Sequence, residues 1–351
     1  MNLNNIHVGY WPYNNSLNSP GDRRRFVFFA NETNIKYELA DTTKIYDIVY
    51  LTSGCNISEW LKYKKMHPNS KIIFELIDSY TLQKGISNIG RGVLKYIKGK
   101  NSKLFLNYKR AFINIIKISD AVVCSTSVQK MDLLKFNKNV HISLDYFSND
   151  ISSYKTDYSI NDKLKLVWEG QSFTVKNLLK INKVLEKLKD KIELHVITDS
   201  VIKHPINIFS KPTINILNKL KCKWFFHEWN LNSFSDLITS CDIAIIPINN
   251  SKIMLNKPEN KLLLFWELGI PVVSSSTPAY ERVMKQSKIN FHCSNENEWF
   301  NKLNDYLRLE IDEKIKLNKI IQEYLQKNHT KDLIIKNWKR IFGSVLNTQN
   351  R

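Results

Sequence analysis

Asn256-Lys257-Pro258-Glu259-Asn260-Lys261-Leu262-Leu263-Leu264-Phe265-Trp266-Glu267-Leu268-Gly269-Ile270-Pro271-Val272-Val273-Ser274-Ser275 reads as a helix that runs straight into a buried strand. Pro258 suits the first helical turn, where a missing N–H costs nothing, and Gly269 suits the turn that ends the helix. A helix followed at once by an apolar strand is half of a crossover unit in a parallel sheet. Its first turn presents the amides of Glu259, Asn260 and Lys261, with Lys257 and Lys261 on either side. Such an end is a ready site for a diphosphate. The same residues also read as an ordinary crossover helix with lysines in solvent.

Working outward, the alternation repeats over the whole chain. Strands are expected at 6–10, 47–51, 71–76, 121–124 and 140–143, with helices at 22–34, 104–118 and 128–136 between them. A polar stretch, 148–157, reads as an inter-domain linker. The alternation then restarts with strands at 164–168, 192–198, 223–226, 243–248 and 271–274 and helices at 176–188, 233–240 and 258–268. From 295 the chain reads as helical, in three pieces ending near 342. At 351 residues it suits two domains of about 150 residues each. The expected division is 1–155, 156–330, and a terminal helix at 331–351 that packs back toward the first domain. The fold class is α/β: two Rossmann-like, doubly wound domains facing a cleft, with a helical C-terminus.

The net charge of +19 calls for an anionic partner. Much of the excess lies between Asp78 and Asp120, where no acidic residue occurs but Lys84, Arg91, Lys95, Lys98, Lys100, Lys103, Lys109, Arg110 and Lys117 do. This stretch reads either as a solvated basic face or as a surface-docking segment. The apolar residues that interleave the charges, among them Ile97, Leu104, Phe105 and Leu106, favour docking to an anionic membrane. Lys95, Lys98, Lys103, Lys109 and Arg110 are its expected membrane-facing residues. The five cysteines are widely spaced, without a C-x-x-C pair, so neither a zinc site nor a disulfide framework is expected. The first residues lack the features of a signal peptide, and no apolar run reaches the ~18 residues of a spanning helix. A cytoplasmic protein, peripheral at the inner face of the membrane, is expected.

The quoted stretch resembles the donor-site segment of GT-B nucleotide-sugar glycosyltransferases, in which K-x-x-N-K/R opens a helix ending in G-x-P-V-V. The resemblance is to the group 1 transferases of bacterial surface polysaccharide synthesis. It implies that Lys257, Asn260 and Lys261 bind the donor diphosphate, and Thr277-Pro278-Ala279-Tyr280-Glu281 continues the pattern. Glu259 and Glu267 have the spacing of the paired glutamates of retaining members. Those members, however, place the second Glu five residues before the helix-ending Gly, which here is Leu264. Glu259 is expected as a donor contact and Glu267 as a ribose contact one turn further on. No retaining outcome follows from them.

Leu166-Val167-Trp168-Glu169-Gly170-Gln171 also resembles the first strand and loop of the family's second domain. Gly170 and Lys176 fit its phosphate-binding pattern, and Gln171 stands where many relatives carry Arg. Trp229, after the strand that edges the nucleobase pocket, reads as a wall of that pocket or as a surface aromatic. In the first domain, Gly21, Asp22, Arg23 and Arg24 open a helix on the acceptor side. Arg23 or Arg24 would face phosphate or an anionic acceptor, or else be surface charge. Asp78, just past a strand, reads as an acceptor-side catalytic carboxylate or as a helix cap, and Ser125 and Thr126 are further lining candidates.

There is no G-x-x-x-x-G-K-[ST], G-x-G-x-x-G, H-E-x-x-H or G-x-S-x-G. No D-x-D pair occurs either, so no metal and no cofactor are expected. The expected function is metal-independent transfer of a sugar from a nucleoside diphosphate sugar to a glycan or lipid-linked glycan hydroxyl. The rivals are a basic nucleic-acid-binding protein and an inverting transferase on the same fold; nucleic acid is not the partner favoured.

Overall fold

Strands β1 (Val8–Trp11), β2 (Tyr37–Leu39), β3 (Ile48–Thr52), β4 (Lys71–Leu76), β5 (Ala121–Cys124) and β6 (Val140–Ile142) form one sheet in a computed structural model, which describes residues 6–82, 86–202 and 210–346. Their order is β2-β1-β3-β4-β5-β6, and every pairing is parallel. Burial explains the choice. All of β3 and β5, and all but the first residue of β4, are buried, as in a sheet covered on both faces. Helices α1 (Val27–Thr33), α2 (Ile57–Met66), α3 (Ile86–Ile97), α4 (Tyr108–Ile118) and α5 (Ser127–Leu133) make the crossovers. On one face Trp60, Tyr63, Phe112 and Ile115 close the core over Val49 and Phe74.

The second sheet comprises β7 (Leu164–Glu169), β8 (Ile192–Thr198), β11 (Trp224–Glu228), β12 (Ile243–Ile246), β13 (Val272–Ser275) and β14 (His292–Cys293); a short antiparallel pair, β9 (Val201–Ile202) with β10 (Lys211–Pro212), lies between β8 and β11 in the chain. Its order is β11-β8-β7-β12-β13-β14, all parallel. The chain moves outward from β7 to one edge and then returns to β12 and the other edge. The carboxyl ends of β7 and β12 are therefore the switch point, where doubly wound sheets bind ligands. In the first sheet the switch lies between β1 and β3. Around the second sheet run α6 (Asn182–Lys187), α7 (Ile214–Leu217), α8 (Phe234–Thr239), α9 (Lys252–Leu255), α10 (Asn260–Glu267), α11 (Pro278–Ser287), α12 (Glu296–Arg308) and α13 (Ile311–Asn328).

The last helix, α14 (Lys331–Leu346), belongs to the first sheet. Trp338, Ile341, Phe342 and Val345 complete the core over Phe29, Tyr50 and Ile73. The two compact units accordingly divide at Tyr146 and Phe147, and the first also takes Asn256–Pro258 and the chain from Lys331 onward.

Three expectations change. The helix expected at 22–34 is broken: Asp22–Phe26 is wide-wound, Arg25 lies outside helical dihedrals, and α1 then runs to an end at left-handed Asn34. The helix expected from 104 starts at Tyr108, because the Asn107 side chain caps it by accepting from the Arg110 amide at 3.2 Å. The 148–157 stretch is not a free linker. The Ser152 amide donates to Ser235 Oγ at 3.3 Å and the Lys155 amide to the Leu268 carbonyl at 2.9 Å. Lys155 Nζ lies 3.5 Å from Asp242, and the Tyr158 hydroxyl donates to the Gly269 carbonyl at 3.1 Å. These bonds strap the segment onto the second unit, so bending there would break them.

One prediction arises from the seat of α14. His141 Nε2 lies 2.7 Å from Asn139 Oδ1 and 3.2 Å from Ser344 Oγ. Burial, with Arg340 and Lys130 nearby, pulls its imidazole down to about 4. Because the neutral ring belongs to the folded state, its contribution is complete above the ordinary value of about 6.5. It is lost as pH falls from there toward 4, by about 2 kcal/mol after allowance for partial exposure. His141→Gln is expected to flatten the acid limb of the melting temperature across that window. An unaltered limb would remove His141 as its cause.

Candidate functional site

The second unit gathers its candidate residues at the β7–β12 switch point. β7 ends at Glu169-Gly170, and α10 starts with Asn260 and Lys261, its first-turn amides beyond the reach of any helical carbonyl. Lys261 Nζ donates to the Glu169 carbonyl, lies 3.6 Å from the Glu169 carboxylate and sits 5.3 Å from the Trp168 ring centre. Gly170 allows this: a Cβ there would stand 2.5 Å from Lys261 Nζ. The buried Thr198 hydroxyl, ending β8, donates to the Gly170 carbonyl at 2.6 Å, and the Trp229 amide donates to the Thr198 carbonyl at 3.1 Å. Trp229 itself is half-buried and stacked on Phe234, ring centres 6.0 Å apart. Gln171 and Lys176 are exposed at the start of the 3₁₀-wound run Ser172–Ile181 that follows Gly170. Gly170, Gln171, Asn260, Lys261 and Trp229 thus share the carboxyl edge of the second sheet.

The two glutamates part company. Glu259 is 2% exposed; its Oε1 pairs with Arg282 on α11, while its Oε2 is buried without a hydrogen bond. Burial raises its carboxyl above the usual range, and Arg282 opposes that rise only in part. Glu267 sits in the last turn of α10, where its Oε1 lies 3.4 Å from Nδ1 of buried His329. It is at the wrong end of the helix for the ribose contact expected of it, ~10 Å along the axis from Lys261 at the usual rise.

Lys257 belongs to the first unit. Its Nζ donates to Asp78 Oδ1 at 2.6 Å, and the Tyr80 hydroxyl donates to Asp78 Oδ2 at 3.2 Å. Burial alone would lower the Lys257 pKa, but Asp78 outweighs it, and the ammonium is held above its ordinary value. Both Asp78 oxygens are thus engaged by side chains. Arg91 lies over the Tyr80 ring, 3.7 Å from its centre.

At the β1–β3 switch, Asp22 is buried and structural. It accepts from the Tyr10 hydroxyl at 2.5 Å, the Tyr13 amide at 2.8 Å, the Asn14 amide at 3.1 Å and the Ser19 hydroxyl at 2.5 Å. Gly21 is required by crowding, since a Cβ there would stand 2.6 Å from the Tyr13 ring. Arg23 Nη1 donates to the Asn18 carbonyl at 2.7 Å, and the Arg24 carbonyl accepts from the Tyr146 amide at 2.9 Å.

Of the three arginines the fully buried one is Arg25, which no sequence signal singled out. It donates to Glu75 at 2.5 Å, to Asp145 at 2.9 Å and to the Ser143 carbonyl at 2.9 Å. Burial raises the Glu75 carboxyl despite Arg25. The Ser125 hydroxyl is buried without a hydrogen bond, whereas Thr126 Oγ1 is occupied as the cap of α5, accepting from the Gln129 amide at 3.1 Å.

The expected membrane-facing set loses one member. Lys95 turns inward to the carbonyls of Ser53 at 3.1 Å and Gly54 at 3.4 Å, and burial pulls its ammonium down to about 8. Lys98, Lys103 and Arg110 are exposed and Lys109 is half-buried; Lys84 lies outside the described residues. Among the described residues no three His, Cys, Asp or Glu side chains converge as a metal-binding group, and no helix is long and apolar enough to cross a membrane. A cavity of about 540 Å³, lined by Lys155, Lys165, Glu193, Asp236 and Asp242 among others, opens at the amino edge of the second sheet. That is the opposite edge from the switch point, so it is not the expected ligand crevice.

No family model matches the sequence, and no curated protein matches it. Solved structures do match in fold. HepE of Anabaena, in complex with UDP and glucose, aligns with a TM-score of 0.67 at 10% identity over 97% of this chain and 100% of that one. WaaG, a glycosyltransferase involved in lipopolysaccharide biosynthesis, aligns at 0.59 and 13% identity over 96% and 98%. TarM of S. aureus aligns at 0.57 and 11% identity over 84% of this chain, which spans only 55% of the TarM chain. The fold they share with this chain is GT-B: two parallel α/β units and a helical C-terminus.

Proposed function

We propose that this chain moves a sugar from a nucleoside diphosphate sugar to a hydroxyl of a glycan or lipid-linked glycan, in building a bacterial surface polysaccharide at the inner face of the membrane. One observation carries the reading: Lys261, in the first turn of α10, lies over Gly170 at the switch point of the second sheet. The helix terminus, Asn260 and Lys261 would take the diphosphate, with Gln171 and Lys176 at its rim and Trp229 beside the base. Charge on the departing diphosphate is the main electrostatic demand of glycosyl transfer, and a fixed ammonium with oriented amides meets it without a metal. Glu259, with one carboxylate oxygen unsatisfied, would accept from a sugar hydroxyl.

On the first unit, Asp78, paired with Lys257 at 2.6 Å, is the proposed acceptor-side carboxylate, and Ser125 is a neighbouring polar group. Glu267 has no part in this scheme. The ligands of the fold neighbours support it: HepE holds UDP and glucose, and TarM holds UDP and α-GlcNAc-glycerol.

The test is a melting-temperature screen with nucleoside diphosphates and their sugars, since a ligand of the folded state raises the transition by mass action. At a hundredfold excess over Kd the gain is about 2.7 kcal/mol, a shift of several degrees. If no nucleotide or nucleotide-sugar shifts the transition, the donor site is misassigned. With an active donor, the product's anomeric configuration by NMR separates retention from inversion.

A further inference from the structure

Beyond the nucleotide site, α3 and the segment after it carry an apolar surface that the first unit leaves uncovered. Ile89, Tyr96, Ile97, Leu104 and Leu106 are all open to solvent, Ile97 at 73% and Leu106 at 64%. They form one patch. Ile89, Tyr96 and Ile97 recur at seven and eight residues, which puts them on one helical face. The run 104–106 is pressed against that helix so closely that a Cβ on Gly92 would collide with the Phe105 carbonyl. A patch of this kind on a folded unit marks a surface with a partner.

The charge around it has one sign. Lys98, Lys100, Lys103 and Arg110 are exposed, and no carboxylate occurs in sequence between Asp78 and Asp120. Four of the five apolar side chains are aliphatic. They gain from leaving water but offer no stacking face, which a nucleic-acid platform would require. With 12 residues, α3 is far below the ~20 of a spanning helix, so the matching geometry is a helix lying in the plane of a surface.

We propose that α3 and residues 98–110 dock this chain on an anionic lipid bilayer. Ile97, Leu104 and Leu106 enter the headgroup–acyl boundary, and Lys98, Lys100, Lys103 and Arg110 lie over lipid phosphates. Lys95 and Arg91 take no part, because the fold turns both inward onto Ser53, Gly54 and Tyr80. The inference deepens the membrane placement proposed above but does not depend on the donor site, so flotation and nucleotide binding can fail separately.

The experiment is flotation of the full chain with phosphatidylcholine vesicles, with and without phosphatidylglycerol. Binding is expected to need phosphatidylglycerol and to fall with added salt. Lys98→Ala/Lys100→Ala/Lys103→Ala is expected to weaken partitioning roughly 100-fold, at roughly fivefold per basic residue. Ile97→Ser/Leu106→Ser is expected to weaken it roughly 30-fold. Both variants should keep the wild-type melting temperature and any nucleotide-induced shift. Equal flotation on both vesicle types, or flotation that neither variant lowers, overturns the proposal. So does binding to an oligonucleotide as tight as to anionic vesicles and unaffected by Ile97→Ser/Leu106→Ser, which would assign the face to nucleic acid.

Discussion

Lys261→Ala is expected to weaken nucleoside diphosphate binding about 100-fold while leaving the unliganded melting temperature within a few degrees. The ammonium is held by the Glu169 carbonyl and lies over Gly170 at the switch point. A phosphate entering there meets a donor already placed, and a charge-assisted contact of this kind is worth about 2–3 kcal/mol. Lys257→Ala should weaken binding less, because Asp78 holds the Lys257 ammonium at 2.6 Å, a closer pairing than the 3.6 Å between Lys261 and the Glu169 carboxylate. Isothermal titration with the nucleotide that shifts the melting temperature furthest decides the matter. If Lys261→Ala binds as wild type does, the phosphate site is elsewhere and the proposed function loses its main support.

The largest stability effect is expected at Arg25. Its guanidinium is fully buried between Glu75 and Asp145. Burial would lower its pKa, but the two carboxylates more than compensate and hold it above its ordinary range. Arg25→Met leaves two acidic groups in the interior without their cation, a loss of about 3–5 kcal/mol. The transition of the first unit should fall by roughly 10 °C. Adding Glu75→Gln should restore part of that loss, since removing both charged partners costs less than stranding one. Calorimetry of the two variants checks both statements. A drop of only a degree or two in Arg25→Met would mean that water or rearrangement already screens the pair.

How much of this was legible depends on range along the chain. The strand 121–124 is legible because uniform burial leaves an unbroken apolar run, whereas 71–76 carries the buried Glu75 and 192–198 alternates Glu193 and His195 with apolar residues, a period-2 pattern. α2 was not read: its buried residues, Ile57, Trp60 and Tyr63, stand three apart among lysines and polar groups, too sparse a stripe to stand out. β2 was missed because it is three residues long and only partly buried.

The helix opening at Asn260 and the glycine beneath Lys261 are both local signals that the sequence carries. The roles of Arg25, Glu267 and Lys95 are not. Each is fixed by a distant partner, respectively Glu75, His329 and the carbonyl of Ser53. Which of three successive arginines turns inward depends on a break in the helix at Arg25 that composition does not signal. Thr126 illustrates the converse: its hydroxyl looked available and is spent on capping a helix.

The seating of α14 in the first core has a consequence for the order of events during synthesis. The face that receives Trp338 and Phe342 is made before the second unit, yet the helix that closes it is made only after that unit. At ~5–20 residues per second, Phe29, Tyr50 and Ile73 wait about 10–40 s for their cover while the whole second unit is being made. The second unit, whose own core needs nothing from α14, can finish first. Of the two units, the first is thus the one that folds to completion last, with an apolar face open in the interval.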